Sequence, residues 1–191
     1  VSDGELTDTA TVTLSIAAVN DAPVLDFISD ILFDEDTSIT INLFANDIDN
    51  NNLSFSITDG TDIISSINGN EITFNSYNNF NGSESFTVSV SDGELTDSQS
   101  FTVTVNQLND APVATTGLTA ATDEDQNIII ALSANDVDGD DLIFSLYTDA
   151  LNGSVIIDGS VATYTPTSNY NGDDSFVFEV SDGELTDTAT V

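Results

Sequence analysis

Hydrophobic and polar residues alternate with a period of two along most of the chain, the pattern of β-strands that bury one face. The alternation is clearest in Ser38–Phe44 and Ser100–Val105, and Asn-Gly and Asp-Gly pairs between such runs mark turns. No segment shows the period of about 3.6 residues that is typical of a helix. Within residues 20–108 the pattern predicts strands at 24–33, 38–44, 52–58, 62–67, 71–75, 84–91 and 98–106. We therefore predict an antiparallel sandwich with one buried and one solvated face on each sheet.

The strand pattern is repeated along the chain. Copies of VSDGELTD begin at Val1, Val90 and Val180, and NDAPV begins at Asn20 and Asn109. Seven short strands in each repeat predict an all-β fold of tandem seven-stranded Greek-key modules of immunoglobulin type. The first twelve residues are identical to the last twelve, so the chain is expected to be an excerpt of a longer array. The expected segments are the C-terminal strand region of a preceding module at 1–19, a complete module at 20–108, and a second module at 109–191 that lacks its last strand.

Charge narrows the possible partners. The chain has 34 Asp plus Glu, no Lys, Arg or His, and a formal net charge of −34. Two carboxylates about 4 Å apart repel each other by roughly 4 kcal/mol at an effective dielectric constant near 20. Acidic loops in a compact fold therefore need metal ions, high salt or wide spacing. This charge excludes nucleic acid as a partner, and no apolar run has the length of about 18 residues that inserts in a membrane.

The acidic and amide residues fall in loops at the ends of the predicted modules. If successive strands run in opposite directions, the C-terminal loops of the first module meet the N-terminal loops of the second near Asn109. Calcium takes about six to eight oxygen ligands in flexible geometry, which such loops supply, whereas magnesium and zinc fit less well. The residues that we predict to bind Ca2+ are Asn20, Asp21, Asp34, Glu35, Asp36, Asp47, Asp49, Glu84, Asp92, Asn109, Asp110, Asp136, Asp138, Asp140 and Asp182.

The strongest single motif is DVDGDD at residues 136–141, where a glycine allows several carboxylates to turn toward one ion. The equivalent stretch of the first module is DIDNNN at residues 47–52. It keeps two acids and loses the others, so we expect a weaker site there.

Together these motifs resemble the bacterial cadherin-like repeats of giant RTX-type surface adhesins. The resemblance covers the whole chain and rests on the DED and AND-x-D loops, the NG-x-(D/E)-SF strand, VSDGELTD and the NDAP linker. It implies calcium between successive domains, with ligands at Glu35, Glu84, Asn109, Asp110, Asp136, Asp138 and Asp182. The linker departs from the cadherin pattern at Ala111, where a second Asn is usual, and NGSESF replaces the usual acidic motif before the sixth strand.

The resulting hypothesis is a structural one. We expect calcium-rigidified extender repeats of a large extracellular bacterial adhesin or filament, acting in adhesion or biofilm assembly. Their partners would be adjacent modules, with other copies or a surface polysaccharide as further partners. The alternative is a polysaccharide-binding or homophilic module, for which Tyr77, Tyr147, Tyr164 and Tyr170 are the stacking candidates. We expect no enzyme, because the acids lie at module ends rather than in a cleft and no nucleophile–base pair is present.

Overall fold

The computed structural model describes residues 1–191 and consists of two compact units, Val1–Asn106 and Gln107–Val191. The first unit contains nine strands. They are β1 (Val24–Leu25), β2 (Ile31–Asp34), β3 (Ser38–Asn42), β4 (Ala45–Asn46), β5 (Ser54–Ile57), β6 (Ile63–Asn68), β7 (Glu71–Ser76), β8 (Gly82–Ser91) and β9 (Thr96–Asn106). One sheet has the order β2-β9-β8-β5, a second has the order β3-β7-β6, and β1 pairs with β4.

The core of the first unit lies between its two larger sheets. Phe74 of β7 meets Phe86 of β8 edge-on at a centroid distance of 5.1 Å, and Phe101 of β9 at 6.2 Å. Along β8 and β9 buried and partly buried residues alternate, as the sequence pattern predicts for strands with one face in the core. The inner face of one sheet is therefore fixed against the inner face of the other by aromatic rings.

The predicted strand at 24–33 is wrong in one respect, because the chain leaves one sheet and joins another within it. β1 pairs with β4, whereas β2 runs parallel to β9, with Ile31 beside Val103. Between them, the Gln99 side chain accepts a hydrogen bond from the Ile28 amide and donates one to its carbonyl. A side chain thus replaces the ladder where the chain crosses over. We expected purely antiparallel sheets, but the sheet that contains β2 and β9 is mixed, because these two strands are parallel.

The second unit repeats this plan with eight strands. They are β10 (Val113–Ala114), β11 (Ile128–Ala131), β12 (Ala134–Asn135), β13 (Ile143–Thr148), β14 (Gly153–Asp158), β15 (Val161–Pro166), β16 (Val177–Ser181) and β17 (Thr186–Thr190). The sheet orders are β11-β15-β14 and β13-β16-β17, with β10 beside β12. Phe178 and Val180 are fully buried in its core. The last strand, which we expected to be missing, is present in shortened form as β17.

The second unit has no equivalent of β2. In the first unit, β2 depends on Val103–Asn106 of β9 as its partner. Residues 119–125, which align with the β2 region, form no strand.

The two copies of VSDGELTDTATV adopt different structures. At residues 180–191 the segment forms the end of β16 and all of β17, and Ala189 is buried. At residues 1–12 the same sequence is exposed and forms only a bridge between Ser2 and Thr7. A strand needs partner strands to be stable, and here the first copy has none. The assignment of residues 1–19 to a preceding module stays a prediction.

The predicted fold class is confirmed: both units are all-β sandwiches of immunoglobulin-like type. The structure contains no helix that is long and apolar enough to cross a membrane.

Substitution of Phe86 tests the core of the first unit. Phe86→Ala removes a fully buried ring in contact with Phe74, so we expect a loss of about 3–5 kcal/mol in the free energy of unfolding. Phe27→Ala is the control, because Phe27 is 85% exposed. Both are measured by denaturant unfolding, and equal losses for the two variants would contradict this packing.

Candidate metal centre

The VSDGELTD turn is held by its own aspartate. Asp92 Oδ1 accepts hydrogen bonds from the amides of Glu94 (2.7 Å) and Leu95 (2.8 Å). Asp182 Oδ1 makes the same pair of bonds to Glu184 and Leu185, both at 2.7 Å. The glycine that follows each aspartate has φ near 105°, a left-handed conformation that glycine adopts without strain. The local sequence therefore fixes the orientation of both carboxylates.

The other oxygen of each turn aspartate holds the asparagine of the NDAP linker. Asn20 Nδ2 donates to Asp92 Oδ2 at 2.7 Å, and Asn109 Nδ2 donates to Asp182 Oδ2 at 2.9 Å. The Leu95 amide, then the Glu94 amide and the Asn20 side chain, lower the pKa of Asp92. The Leu185 amide, then Asn109 and the Glu184 amide, lower the pKa of Asp182. Both carboxylates are thus held in the charged form that a metal ion requires.

The AND-x-D loops place a second pair of acids beside each turn. Asp136 Oδ1 accepts the amides of Asp138 (2.9 Å) and Gly139 (3.0 Å), and Asp47 Oδ1 accepts those of Asp49 and Asn50, both at 2.7 Å. These are Asx turns, which a short carboxylate side chain forms with its own backbone. In both loops one oxygen is therefore used to hold the backbone.

The second oxygen of each of these two aspartates has a different environment from the first. Asp47 Oδ2 and Asp136 Oδ2 are both buried and have no hydrogen-bond partner. A buried carboxylate oxygen without a donor is costly, and this one occurs at the same position of both units. Buried oxygens of this kind fit a cation as the missing partner.

The second acid of each loop reaches the linker. Asp138 Oδ2 accepts the Asp110 amide at 2.8 Å, and Asp49 Oδ2 accepts the Asp21 amide at 2.9 Å. Asp138 Oδ1 also accepts Gln107 Nε2 at 2.9 Å. The loops thus bring together Asn20, Asp21, Asp47, Asp49 and Asp92 in the first unit, and Asn109, Asp110, Asp136, Asp138, Asp140 and Asp182 in the second.

The second unit concentrates more negative charge than the first. Carboxylate oxygens of Asp136, Asp138 and Asp140 all lie within 4.8 Å of one another. Loss of hydration, followed by the charges of Asp136 and Asp138, raises the pKa of Asp140. The donor set consists of oxygens alone, without nitrogen or sulfur ligands, which suits calcium rather than zinc. In the first unit Asn51 takes the place of Asp140, and no group of three acids lies so close together there.

The family model for the bacterial Ig domain matches the chain twice, at residues 20–105 and 109–191. The chain belongs to the bacterial Ig domain family.

Solved structures show that these Ig domains share the cadherin fold. Form II of human protocadherin-24 EC1-2 has a TM-score of 0.56 at 16% identity, covering 90% of this chain and 95% of that one. A further structure of the same human fragment has a TM-score of 0.52 at 15% identity, with coverage of 91% and 94%. Domains 1–4 of protocadherin gamma B7 give 0.50 at 16% identity, with coverage of 88% and 48%. No curated protein sequence matches the chain.

The remaining predicted ligands lie elsewhere in the first Ig domain, in the loop at Asp34–Asp36 and on β8. Asp34 Oδ1 accepts Asn106 Nδ2 at 3.0 Å, and Asp36 Oδ1 accepts the Asn79 amide at 3.2 Å. Glu35 is almost fully buried, with 1% of its surface exposed. Both oxygens of Glu84 accept backbone amides, from Thr61 and Asp62. The role of these four acids as metal ligands stays a prediction.

Glu84 and its equivalent Asp174 hold a loop in each Ig domain. Asp174 accepts the amides of Leu151 (3.1 Å) and Asn152 (2.9 Å) and the Tyr164 hydroxyl (2.9 Å). Gly153 permits this arrangement, because a Cβ there would lie 2.3 Å from the Tyr164 ring. These carboxylates therefore stabilise their own domain.

Sequence reasoning missed three residues that hold the linker or the chain just after it. Gln107 lies outside the repeat, since Ala18 stands at the equivalent place, so no pattern indicated it. Asp97 and Asp187 accept the amides of Leu25 and Ala114, both at 2.9 Å, and so fix the chain just after the linker. Their position at the end of each VSDGELTD copy was the signal that could have identified them.

The Tyr164–Asp174 pair makes the second Ig domain sensitive to alkali. Burial, followed by the hydrogen bond and charge of Asp174, raises the pKa of Tyr164 from its ordinary 10.0 to about 12. Folding thus favours the protonated phenol, whose contribution to stability is fully present below pH 10 and is lost as the pH rises toward 12. We expect the stability of Tyr164→Phe to fall less steeply over this range.

This prediction is measured by thermal unfolding as a function of pH and by phenolate absorbance. Tyr147→Phe is the matched control, because Tyr147 is 65% exposed. Identical pH profiles for Tyr164→Phe, Tyr147→Phe and the parent chain would contradict the role of the pair.

Proposed function

We propose that the two Ig domains are calcium-binding structural extender repeats of a large extracellular bacterial adhesin or surface filament. The observation that carries the proposal is the repeated buried oxygen, Asp47 Oδ2 in one domain and Asp136 Oδ2 in the other. A bound cation is the simplest partner for it in a chain without Lys, Arg or His.

The residues that would hold calcium in the second domain are Asp136, Asp138, Asp140 and Asp182, beside Asn109 and Asp110. Calcium would supply positive charge where several acids converge, and carboxylate, amide and backbone oxygens are its preferred ligands. The cadherin-like fold and the three acids within 4.8 Å of one another support this assignment. In the first domain Asp47, Asp49 and Asp92 would form the weaker site.

Bound calcium would stiffen the chain between the two domains by ordering the linker. Residues 107–110 follow β9 directly, and Gln107, Asn109 and Asp110 all bond to the acids of the second domain. An ion bound to these acids would therefore also order the linker. Because the ion binds the folded state and not the unfolded one, it would also raise the free energy of unfolding. We propose that this coupling keeps successive domains extended, and that the chain acts outside the cell and is not an enzyme.

The alternative polysaccharide-binding role gains less support from the tyrosines. Tyr164 bonds to Asp174, and the Tyr170 hydroxyl donates to the Asp173 carbonyl at 2.7 Å. Two of the four stacking candidates thus have structural roles, and only Tyr77 and Tyr147 are exposed.

Calcium should raise the melting temperature of the parent chain. At a calcium concentration about 100 times the dissociation constant, the expected stabilisation is about 2.7 kcal/mol. We expect Asp136→Asn to abolish most of this gain and Asp47→Asn to have a smaller effect. The measurement is thermal unfolding in calcium, in magnesium and in a chelator.

Asp158→Asn is the matched control, since Asp158 is an exposed acid on a hairpin outside the site and its change in charge is identical. Small-angle scattering of the parent chain with and without calcium tests stiffening, for which we expect a smaller radius of gyration in chelator. A melting temperature that does not change with calcium would contradict the proposal that the chain binds calcium. Unchanged scattering, despite calcium-dependent melting, would refute stiffening alone.

A further inference from the structure

The sheet β11-β15-β14 of the second Ig domain has an outer face that is largely apolar. Ile129 of β11, Thr163 of β15 and Ile156 of β14 lie side by side in one row across the sheet. Ile129 is 69% exposed and Ile156 is 71% exposed. In the next row Ala131 lies beside Val161, and both are exposed. We call these five residues the apolar face.

The first Ig domain has the same three strands without an apolar face. The register places Thr40, Thr73 and Ser66 where the second domain has its Ile-Thr-Ile row, and the hydroxyls of Thr40 and Thr73 bond at 2.8 Å. Asn42 and Glu71 stand in place of the alanine and the valine of the next row. The inward-facing side chains of β3 and β11 are isoleucines in both domains and belong to the two cores. The difference between the domains therefore lies on the solvent side of the sheet.

Strand propensity does not account for this difference. Isoleucine and valine favour strands, but alanine is a poor strand former, and it replaces Asn42 at Ala131. What the four exchanged positions share is a change from a polar to an apolar side chain. Adjacent apolar side chains on an exposed sheet indicate a surface that loses water to a partner.

The apolar face is also a gap in the negative charge of the surface. Asp158, at the hairpin between β14 and β15, is the only acid among the side chains that point outward from these three strands. A cationic partner would be attracted to the acidic loops instead. The chain carries 34 acids and no cationic side chain, so a second copy is repelled least where carboxylates are absent. This face therefore fits the same face of another copy.

The pattern of the apolar face is self-complementary. The row Ile129–Thr163–Ile156 is symmetric about its centre, because β15 has an isoleucine on either side. A twofold axis that runs along β15, midway between two facing copies, sets Ile129 of one copy against Ile156 of the other and Thr163 against Thr163. Contacts of this kind, in which two residues exchange roles between the copies, are what an isologous interface requires.

We propose that the apolar faces of two copies of the chain pack against each other as a symmetric dimer. One partner occupies each face completely, so association stops at two copies. Three strands about 4.8 Å apart give a face on the order of 300 Å² per copy, compared with roughly 800 Å² per partner in a stable complex. The dimer is therefore weak, with a dissociation constant on the order of 1 mM. The proposal rests neither on calcium binding nor on the extender role.

The test is sedimentation equilibrium of the 191-residue chain at concentrations up to about 1 mM. It is run in chelator, so that no ion bridges carboxylates of two copies, and at high salt, which screens the charge of −34 on each copy. We expect a monomer–dimer equilibrium without larger species. A chain that stays monomeric throughout, or one that forms a series of larger oligomers, would overturn the proposal.

Substitutions in the apolar face identify the contact. The double variant Ile129→Thr, Ile156→Ser gives the second domain the row that the first domain has. It should weaken the dimer about tenfold or more, because four isoleucine side chains per dimer no longer leave water. Leu32→Thr, Ile143→Ser is the control, since it removes apolar residues that are 60% and 65% exposed from other sheets. Equal dissociation constants for the first double variant and the parent would refute this contact.

A single cysteine locates the twofold axis, because the chain has no cysteine of its own. A bifunctional thiol reagent that spans about 10 Å, the separation of packed sheets, should link Thr163→Cys into a covalent dimer. Thr73→Cys, at the equivalent place in the first domain, should give little dimer. Adding Ile129→Thr and Ile156→Ser to Thr163→Cys should remove most of the product. Equal cross-linking of Thr163→Cys and Thr73→Cys would mean that copies meet at random, and the apolar face would not be the binding surface.

Discussion

Backbone amides take the place of cationic side chains in this protein. With 34 acids and no Lys, Arg or His, a carboxylate here can be satisfied only by a neutral donor, by water or by an ion. Asp92, Asp136 and Glu84 each accept two or more backbone amides. Charge-assisted bonds of this kind are stronger than neutral ones. They also hold the loops in shape, so acidity and loop structure depend on each other.

Backbone amides do not satisfy all of the carboxylate oxygens in this arrangement. In each AND-x-D loop one oxygen holds the backbone while the other is buried without a donor. In the second domain Asp140 adds a third carboxylate, and its raised pKa reflects lost hydration and the neighbouring acids. The first domain has Asn51 there instead. The two domains therefore share the structure of this loop but differ in its negative charge, which is larger in the second domain.

Sequence alone predicted the fold class and most strands, because the alternation of apolar and polar residues is a local property and the repeat is visible in the sequence itself. It did not predict the change of sheet between Leu25 and Ile31, which depends on Gln99, a residue distant in sequence. For the candidate site, the repeat indicated loops and a linker that the structure brings together within each domain. It did not show which oxygen of Asp136 is buried, nor that both oxygens of Glu84 hold a loop. Those facts depend on side-chain orientation, which a pattern does not contain.

The first copy of the VSDGELTD turn has a consequence for how the domains fold. Asp3 accepts the amides of Glu5 and Leu6 although residues 1–12 have no sheet beside them. The turn therefore requires only contacts between near neighbours, which form early because little chain entropy is lost. In the first domain the same turn joins β8 to β9, the longest antiparallel pair of the protein. We expect this hairpin to nucleate each domain, and β2, whose partner is some 70 residues away in sequence, to join last.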